Sequence, residues 1–453
     1  MKYFFLVLIT LSTLGSVAQK GGWTSLFDGK TLKGWKSVAG SAPYKVEDGS
    51  ITGYTVHKSG NTFLITENEY DDFILELEVK LQDSTLNSGV QFRSTYDDTA
   101  NNGVGKVFGY QFELDPSGRK WFGGIYDESR RGWLYPLSLH PQGGDAYKKG
   151  EFNKIRIECI GNIIRTWVNG KPVAYLVDSL TRKGVIALQV HSINDSATAG
   201  KKIQWKNIRL RKGASQLQPF PENIYVVNLL PNTVDEQEKK QGWQLLFDGT
   251  TSNGWKGAYK PAFPEKGWQI ADGKLTVLAS NGDESTNGGD IVTTEKYSAF
   301  DLSFEFNITP GANSGVKYFV TLKENNPGSA IGLEYQVLDD KVHPDAKLGK
   351  PGTRTLSSLY DLIPAKKENR FVMPPGQWNR GRIVVRRDNH VEHYLNGIKV
   401  LEYERGSEQF RTLVAESKYK IWPNFGEAPE GHILLQDHGN EVAFRSIKLR
   451  RLQ

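Results

Sequence analysis

Two stretches of this chain put a carboxylate and an amide side by side on one face of a strand. Gly332-Leu333-Glu334-Tyr335-Gln336-Val337-Leu338-Asp339 alternates polar residues with aromatic, aliphatic and β-branched ones, which is the pattern of a β-strand. Side chains along a strand point to opposite faces in turn. Glu334 and Gln336 therefore share one face, and Leu333, Tyr335 and Val337 share the other. Gly109-Tyr110-Gln111-Phe112-Glu113-Leu114-Asp115 repeats the pattern with the two groups exchanged. A carboxylate accepts hydrogen bonds and an amide both donates and accepts. Together they make a floor for a polar ligand, although a solvated sheet face has the same pattern.

Histidine joins these groups on a later pair of strands. Val185, Ala187, Gln189 and His191 share a face, as do His432, Leu434, Gln436 and His438. Ile186, Leu188 and Val190, or Ile433 and Leu435, fill the alternate face and are core candidates. Histidine changes charge near neutral pH, so Gln and His recurring on one face suit a site as well as a structural role. Around the two Asn-Gly dipeptides, Arg165 pairs with Trp167 on one face, and Glu392 with Tyr394. An aromatic beside a charge suits a sugar ring. Asp127, Arg130, Arg131 and Trp133 form a polar-aromatic loop after the first central strand, where the second has Tyr360 and Asp361. Rim loops often carry binding groups. Asp28-Gly29 and Asp248-Gly249 read as turns. Trp35 and Trp255 read as core.

The elements that carry these groups occur twice. Gly22-Trp23-Thr24-Ser25-Leu26-Phe27-Asp28-Gly29 matches Gly242-Trp243-Gln244-Leu245-Leu246-Phe247-Asp248-Gly249. Gly34-Trp35 matches Gly254-Trp255, and Asn87-Ser88-Gly89-Val90 matches Asn313-Ser314-Gly315-Val316. The central strands follow, then Ile125-Tyr126-Asp127 and Leu359-Tyr360-Asp361. Trp167-Val168-Asn169-Gly170 matches Tyr394-Leu395-Asn396-Gly397. Leu188-Gln189-Val190-His191 closes against Leu435-Gln436-Asp437-His438. A repeat this long means duplicated domains and not a solenoid. Residues 22–211 and 242–452 are the two copies. Residues 213–241 between them hold Pro219, Pro221, Pro231 and a charged run, and read as a linker with an apolar middle.

Each copy is a series of short alternating segments with turns between them, including Asn-Gly hairpins suited to type I′ geometry. Long helical periodicity does not occur. The 47 glycines and 51 aromatic residues among 453 favour an all-β chain of two jelly-roll sandwiches. The lone Cys159 sits in a strand-like run and reads as a buried, inert thiol. A net charge of +6 with no basic run argues against a nucleic-acid groove. Lys2, the apolar stretch from Tyr3 to Leu14 and Ser16-Val17-Ala18 make residues 1–19 a secretory signal peptide. The mature chain is then expected without a membrane span, in the periplasm or outside the cell. No HExxH, cysteine cluster, P-loop or GxSxG occurs. A divalent metal such as Ca²⁺ held by Asp and carbonyl groups stays open, and nothing in the sequence requires a cofactor.

The ordered set Trp-x-x-Leu-Phe-Asp-Gly, Gly-Trp, Asn-Ser-Gly-Val, polar central strand, Asn-Gly and Leu-Gln-x-His resembles the 3-keto-disaccharide hydrolase family, once per copy. The resemblance implies tandem concanavalin A-like jelly rolls, export, and cleavage of oxidised disaccharides or glycosides. A ketone at C3 acidifies the proton on C2. Its removal by a carboxylate or histidine would expel the C1 substituent, and water would complete a net hydrolysis. On this reading Glu334 is the favoured base of the second copy. Gln336 and His438 stabilise the enolate, Tyr394 is the sugar platform, and Gln436, Tyr360 and Asp361 bind substrate. In the first copy Glu113 and His191 take the catalytic roles, supported by Gln111, Trp167, Gln189, Asp127, Arg130 and Arg131. Two other classes remain: a non-catalytic carbohydrate-binding protein, and a glycosidase with two paired carboxylates.

Overall fold

A computed structural model describes residues 22–283, 286–322 and 330–452. The signal-peptide expectation for residues 1–19 lies outside them. Each copy is a sandwich of two antiparallel sheets. In the first, one sheet runs Gly132–Tyr135, Ile125–Glu128, Lys106–Leu114, Ser88–Asp97, Val185–Val190, Thr62–Thr66 and Trp35–Val38. In the second, the corresponding sheet runs Ile331–Leu338, Asn313–Thr321, His432–Leu435, Ile291–Thr293 and Trp255–Gly257. The order is the same, except that the first copy adds two strands at one edge. There, among the described residues, the second copy has isolated bridges, Tyr335 to Leu359 and Leu359 to Ile363.

The opposing sheets also correspond. In each, the hairpin closed by the Asn-Gly turn lies to one side and the long C-terminal strand, Lys202–Lys212 or Val442–Arg451, lies near the middle. Both Asn-Gly pairs take positive φ at both residues, 48° and 79° for Asn169-Gly170 and 50° and 83° for Asn396-Gly397. That is the type I′ geometry the dipeptide is suited to.

Alternation places the core as the sequence predicts. Tyr110, Phe112 and Leu114 enter the first core, and Leu333, Tyr335 and Val337 enter the second. Trp35 and Trp255 are buried, and their indoles donate to Leu26 O at 2.7 Å and Leu246 O at 2.6 Å. Asp28 caps a turn by accepting the N–H groups of Lys30 and Thr31, and Asp248 caps one by accepting the Thr251 hydroxyl and the N–H groups of Thr251 and Thr250; these bonds hold both carboxyls down at about 2. Cys159 is fully buried, and burial pushes its thiol up to about 12.

The segment 213–241 packs against both sandwiches. Val226–Asn228 adds a parallel strand to the first copy beside Lys171–Val177. A short helix, Glu236–Lys240, follows behind a capping box on Asp235. From it, the fully buried Glu238 pairs with Lys448 of the second copy and accepts from Asn228 Nδ2 at 2.8 Å. Across the seam Arg380 Nη2 donates to Leu134 O at 3.0 Å, and Phe371 packs 6.0 Å from Trp121. No helix among the described residues is long and apolar enough to cross a membrane.

Candidate active site

The outward face of the second copy's smaller sheet is the floor of a cleft of about 380 Å³. Asn313 and Lys317 come from one strand, Glu334 and Gln336 from its neighbour, and Gln436 and His438 from just past the end of His432–Leu435. The register sets Lys317 opposite Glu334 and Gly315 opposite Gln336. The glycine of the Asn-Ser-Gly-Val motif now has a physical reason. A Cβ on Gly315 would lie 2.5 Å from Glu334 Oε1, and one on Gly89 would lie 2.2 Å from Gln111 Cδ. In both copies the glycine leaves room for the polar side chain that lies across it.

The floor is polar, and its side chains are packed closely together. Glu334, Gln336, Lys317 and Gln436 are all buried. Gln336 Nε2 donates to Asn313 Oδ1 at 3.3 Å, while its Oε1 makes no hydrogen bond among the described residues. Such an atom costs about 1–3 kcal/mol when dry, so this floor suits a ligand rich in hydroxyls. Lys317 Nζ lies 4.0 Å from Asp290 Oδ2. His438 stands edge-on to His343 at 6.1 Å. Burial, with His438 nearby, holds His343 below its ordinary value.

One wall is Tyr360, which donates to Asp345 Oδ2 at 2.8 Å. The other is built by a long excursion between Ile398–Glu404 and His432–Leu435, which carries the helix Glu408–Ala415 and the turn Lys418–Ile421. It brings Lys418, Tyr419 and Trp422 to the cleft. Lys418 Nζ sits 4.3 Å from the Tyr360 ring centre. Burial draws its ammonium below the ordinary value, and Glu334 partly restores it. Burial, and then Glu334, raise the phenols of Tyr360 and Tyr419, so both keep their protons. Lys317, Lys418, Tyr419 and Trp422 were not anticipated. Two signals pointed to them: Lys317 follows the repeated Asn-Ser-Gly-Val, and residues 405–431 stand where the first copy has only 178–184.

The first copy places Gln111, Glu113 and Gln189 on the equivalent sheet, with His191 just past the end of Val185–Val190. Gln91 stands where the second copy has Lys317, opposite Gln111. Gln91 Nε2 donates to Gln111 Oε1, Gln111 Nε2 to Glu113 Oε2 at 2.7 Å, and Asn87 Nδ2 to Glu113 Oε1 at 2.9 Å. Burial nonetheless pushes the Glu113 carboxyl up to about 7. Neither amide atom of the buried Gln189 makes a hydrogen bond of good geometry among the described residues. Burial also raises nearby Glu128, which feels His191.

Several expected binding residues lie elsewhere. Trp167 and Tyr394 stand on the opposing sheet of each sandwich, because the Asn-Gly hairpin belongs to that sheet. Trp167 packs edge-on against Phe220 of the 213–241 segment at 5.3 Å, and Tyr394 lies 4.9 Å from the Arg382 guanidinium. Asp127 is fully buried between Arg130 at 2.7 Å and Arg131 at 2.5 Å, and Arg131 also pairs with Asp178 at 2.6 Å. These charges satisfy one another. Asp361 is buried, accepting from Arg354 Nε at 2.7 Å and Lys418 N at 3.0 Å, and so supports the wall from behind. A group with metal-ligand spacing, His390, Glu392 and Glu402, also lies on the opposing sheet. Lys399 lies 2.6 Å from Glu402 and 3.5 Å from Glu392, and Arg386 lies 3.0 Å from Glu392.

The profile of the 3-keto-alpha-glucoside-1,2-lyase-like domain matches residues 22–211 and again 242–450. A 3-keto-disaccharide hydrolase from Bacteroides thetaiotaomicron is 39% identical over 232 residues, which is 47% of this chain and 79% of that one. A solved structure of a proposed glycosyl hydrolase from Parabacteroides distasonis is 31% identical, covering 49% of this chain and 100% of that one, with a TM-score of 0.44. A second from the same organism is 28% identical, covering 46% and 99%, with a TM-score of 0.35.

Proposed function

The chain belongs to the 3-keto-alpha-glucoside-1,2-lyase-like family, whose domain it carries twice, and is a glycoside-cleaving hydrolase; we propose that its second copy cleaves 3-keto-glycosides in the cleft around Glu334. The observation that carries the reading is one buried carboxylate facing Lys317 and flanked by Gln336 and His438 on a hydroxyl-binding floor. Glu334 takes the C2 proton of a bound 3-keto sugar. The C–H electron pair moves to the ketone, whose oxygen gains charge. Lys317, Gln336 and His438 supply positive charge and donors for that oxygen, which is where electrostatic help lowers a barrier most. When the carbonyl re-forms, the C1–O bond breaks and the leaving oxygen takes a proton. Water then adds its oxygen to C1 and a proton to C2. The net change is a hydrolysis without redox, so the step as written calls for no redox cofactor. Tyr360 and Trp422 offer ring faces at the walls for the sugar.

A glycosidase of the paired-carboxylate kind needs two carboxyl groups about 5–10 Å apart. Among the described residues lining this cleft, Glu334 is the only carboxylate. The test is incubation of the full chain with a 3-keto-glucoside and with its unoxidised parent. Release of the aglycone from the ketone alone is expected. Cleavage of the parent at a comparable rate would overturn the ketone-dependent step. Export belongs to the same proposal, since a leader at residues 1–19 would deliver the enzyme to sugars outside the cytoplasm.

A further inference from the structure

The seam between the two sandwiches holds a separate cleft of about 370 Å³. Trp133 and Leu134 reach it from the first copy, and Trp378, Arg380 and Arg445 from the second. Most charges around it are paired. Arg445 Nε lies 2.6 Å from Glu305 Oε2, and Arg131 is held by Asp127 and Asp178. Arg380 differs. Its Nη2 donates to Leu134 O, and no carboxylate of the described residues lies within 4.0 Å of it. Glu305 and Asp178 act on it only from farther away, and burial pulls its guanidinium below the ordinary value. Glu305 lines the same cleft and is the cross-strand neighbour of Arg380, but its direct ion pair is with Arg445, so Arg380 is left without a carboxylate in contact. Two half-buried indoles flank that charge. Arg445 covers Trp378 at 4.0 Å, and Trp133 packs edge-on against Trp121 at 4.6 Å.

We propose that this seam binds a carboxylate-bearing sugar ring of the hexuronate class, with Arg380 pairing the carboxylate and the Trp133 and Trp378 indoles covering the ring. A guanidinium holds a carboxylate through two parallel hydrogen bonds and prefers it to a neutral group. Indole faces pack against the apolar face of a pyranose. The volume is at the low end for small-molecule sites and suits one ring better than a chain. A ligand here touches both sandwiches, so its binding stabilises their mutual docking by mass action.

The experiment uses the full chain with glucuronate as probe, and glucose and inorganic phosphate as controls. Calorimetric titration and the thermal midpoint are the readouts. Glucuronate is expected to bind and raise the midpoint, and glucose to do neither. Arg380→Gln and Trp378→Leu should each weaken glucuronate by about tenfold or more, with turnover at the Glu334 cleft unchanged. If Arg380→Gln fails to fold, Trp378→Leu decides alone. The proposal is overturned if the native chain does not bind glucuronate, or if both substitutions leave binding intact. It is equally overturned if Glu334→Gln abolishes binding, which would move the ligand to the other cleft. Equal binding of phosphate, insensitive to Trp378→Leu, would mean a simple anion contact and also overturn it.

Discussion

At the scale of single residues, the exchange of carboxylate and amide decides most. Gln111 and Glu334 occupy equivalent positions, as do Glu113 and Gln336. The carboxylate of the first copy therefore lies two residues along the strand, about 6.6 Å away, and faces amides where Glu334 faces Lys317. Its proton behaves differently as well. Burial holds Glu113 neutral up to about pH 7, against an ordinary 4.5. Between those values the folded chain keeps a proton that the unfolded chain has lost. Stability therefore falls as pH rises from about 4.5 to about 7, by at most roughly 3 kcal/mol, and then levels. Thermal unfolding of the native chain and of Glu113→Gln at pH 5 and pH 8 checks this. The native chain should lose several degrees relative to the variant on going to pH 8. Parallel curves would show that Glu113 is not held neutral.

At the scale of elements, alternation along a strand told which side chains share a face, and there the sequence was legible. Glu334 with Gln336, and Gln111 with Glu113, lie on the outward faces as read. Alternation does not tell which sheet a strand joins, because that depends on pairing between distant segments. Trp167 and Tyr394 were misplaced for this reason. Nor does it reveal that charges close in sequence, such as Asp127 with Arg130 and Arg131, neutralise one another. The wall carrying Lys418 and Trp422 shows in the sequence only as extra length, because no residue of it has a counterpart in the first copy to mark it as part of a site. The motif glycines were legible as a repeat but not as a cause. Gly315→Ala should push the Glu334 carboxylate aside, since that flexible end yields before the strand does. We expect turnover to fall by about 10²-fold with stability changed by under about 2 kcal/mol. Gly89→Ala should displace Gln111 and leave turnover untouched. Native turnover in Gly315→Ala would refute the positioning role.

At the scale of the whole molecule, the two sandwiches do not hang on a loose tether. The segment 213–241 adds a strand to the first and buries Glu238 against Lys448 of the second. Removing one partner of a buried ion pair leaves an uncompensated charge, at a cost of about 3–5 kcal/mol. Glu238→Ala should lower the unfolding free energy by that order in denaturant titrations. A change below about 1 kcal/mol would mean that the pair contributes little to the docking.

On the proposed function, the unlike floors of the tandem copies divide the labour, with the second copy as the catalyst. Turnover of one 3-keto-glucoside by Glu334→Gln and Glu113→Gln, each verified as folded, tests this most directly. Glu334→Gln should lose at least about 10²-fold in kcat, the usual worth of a general base, while Glu113→Gln stays within about twofold of the native chain. Equal partial losses from both substitutions, or full activity in Glu334→Gln, would contradict the account.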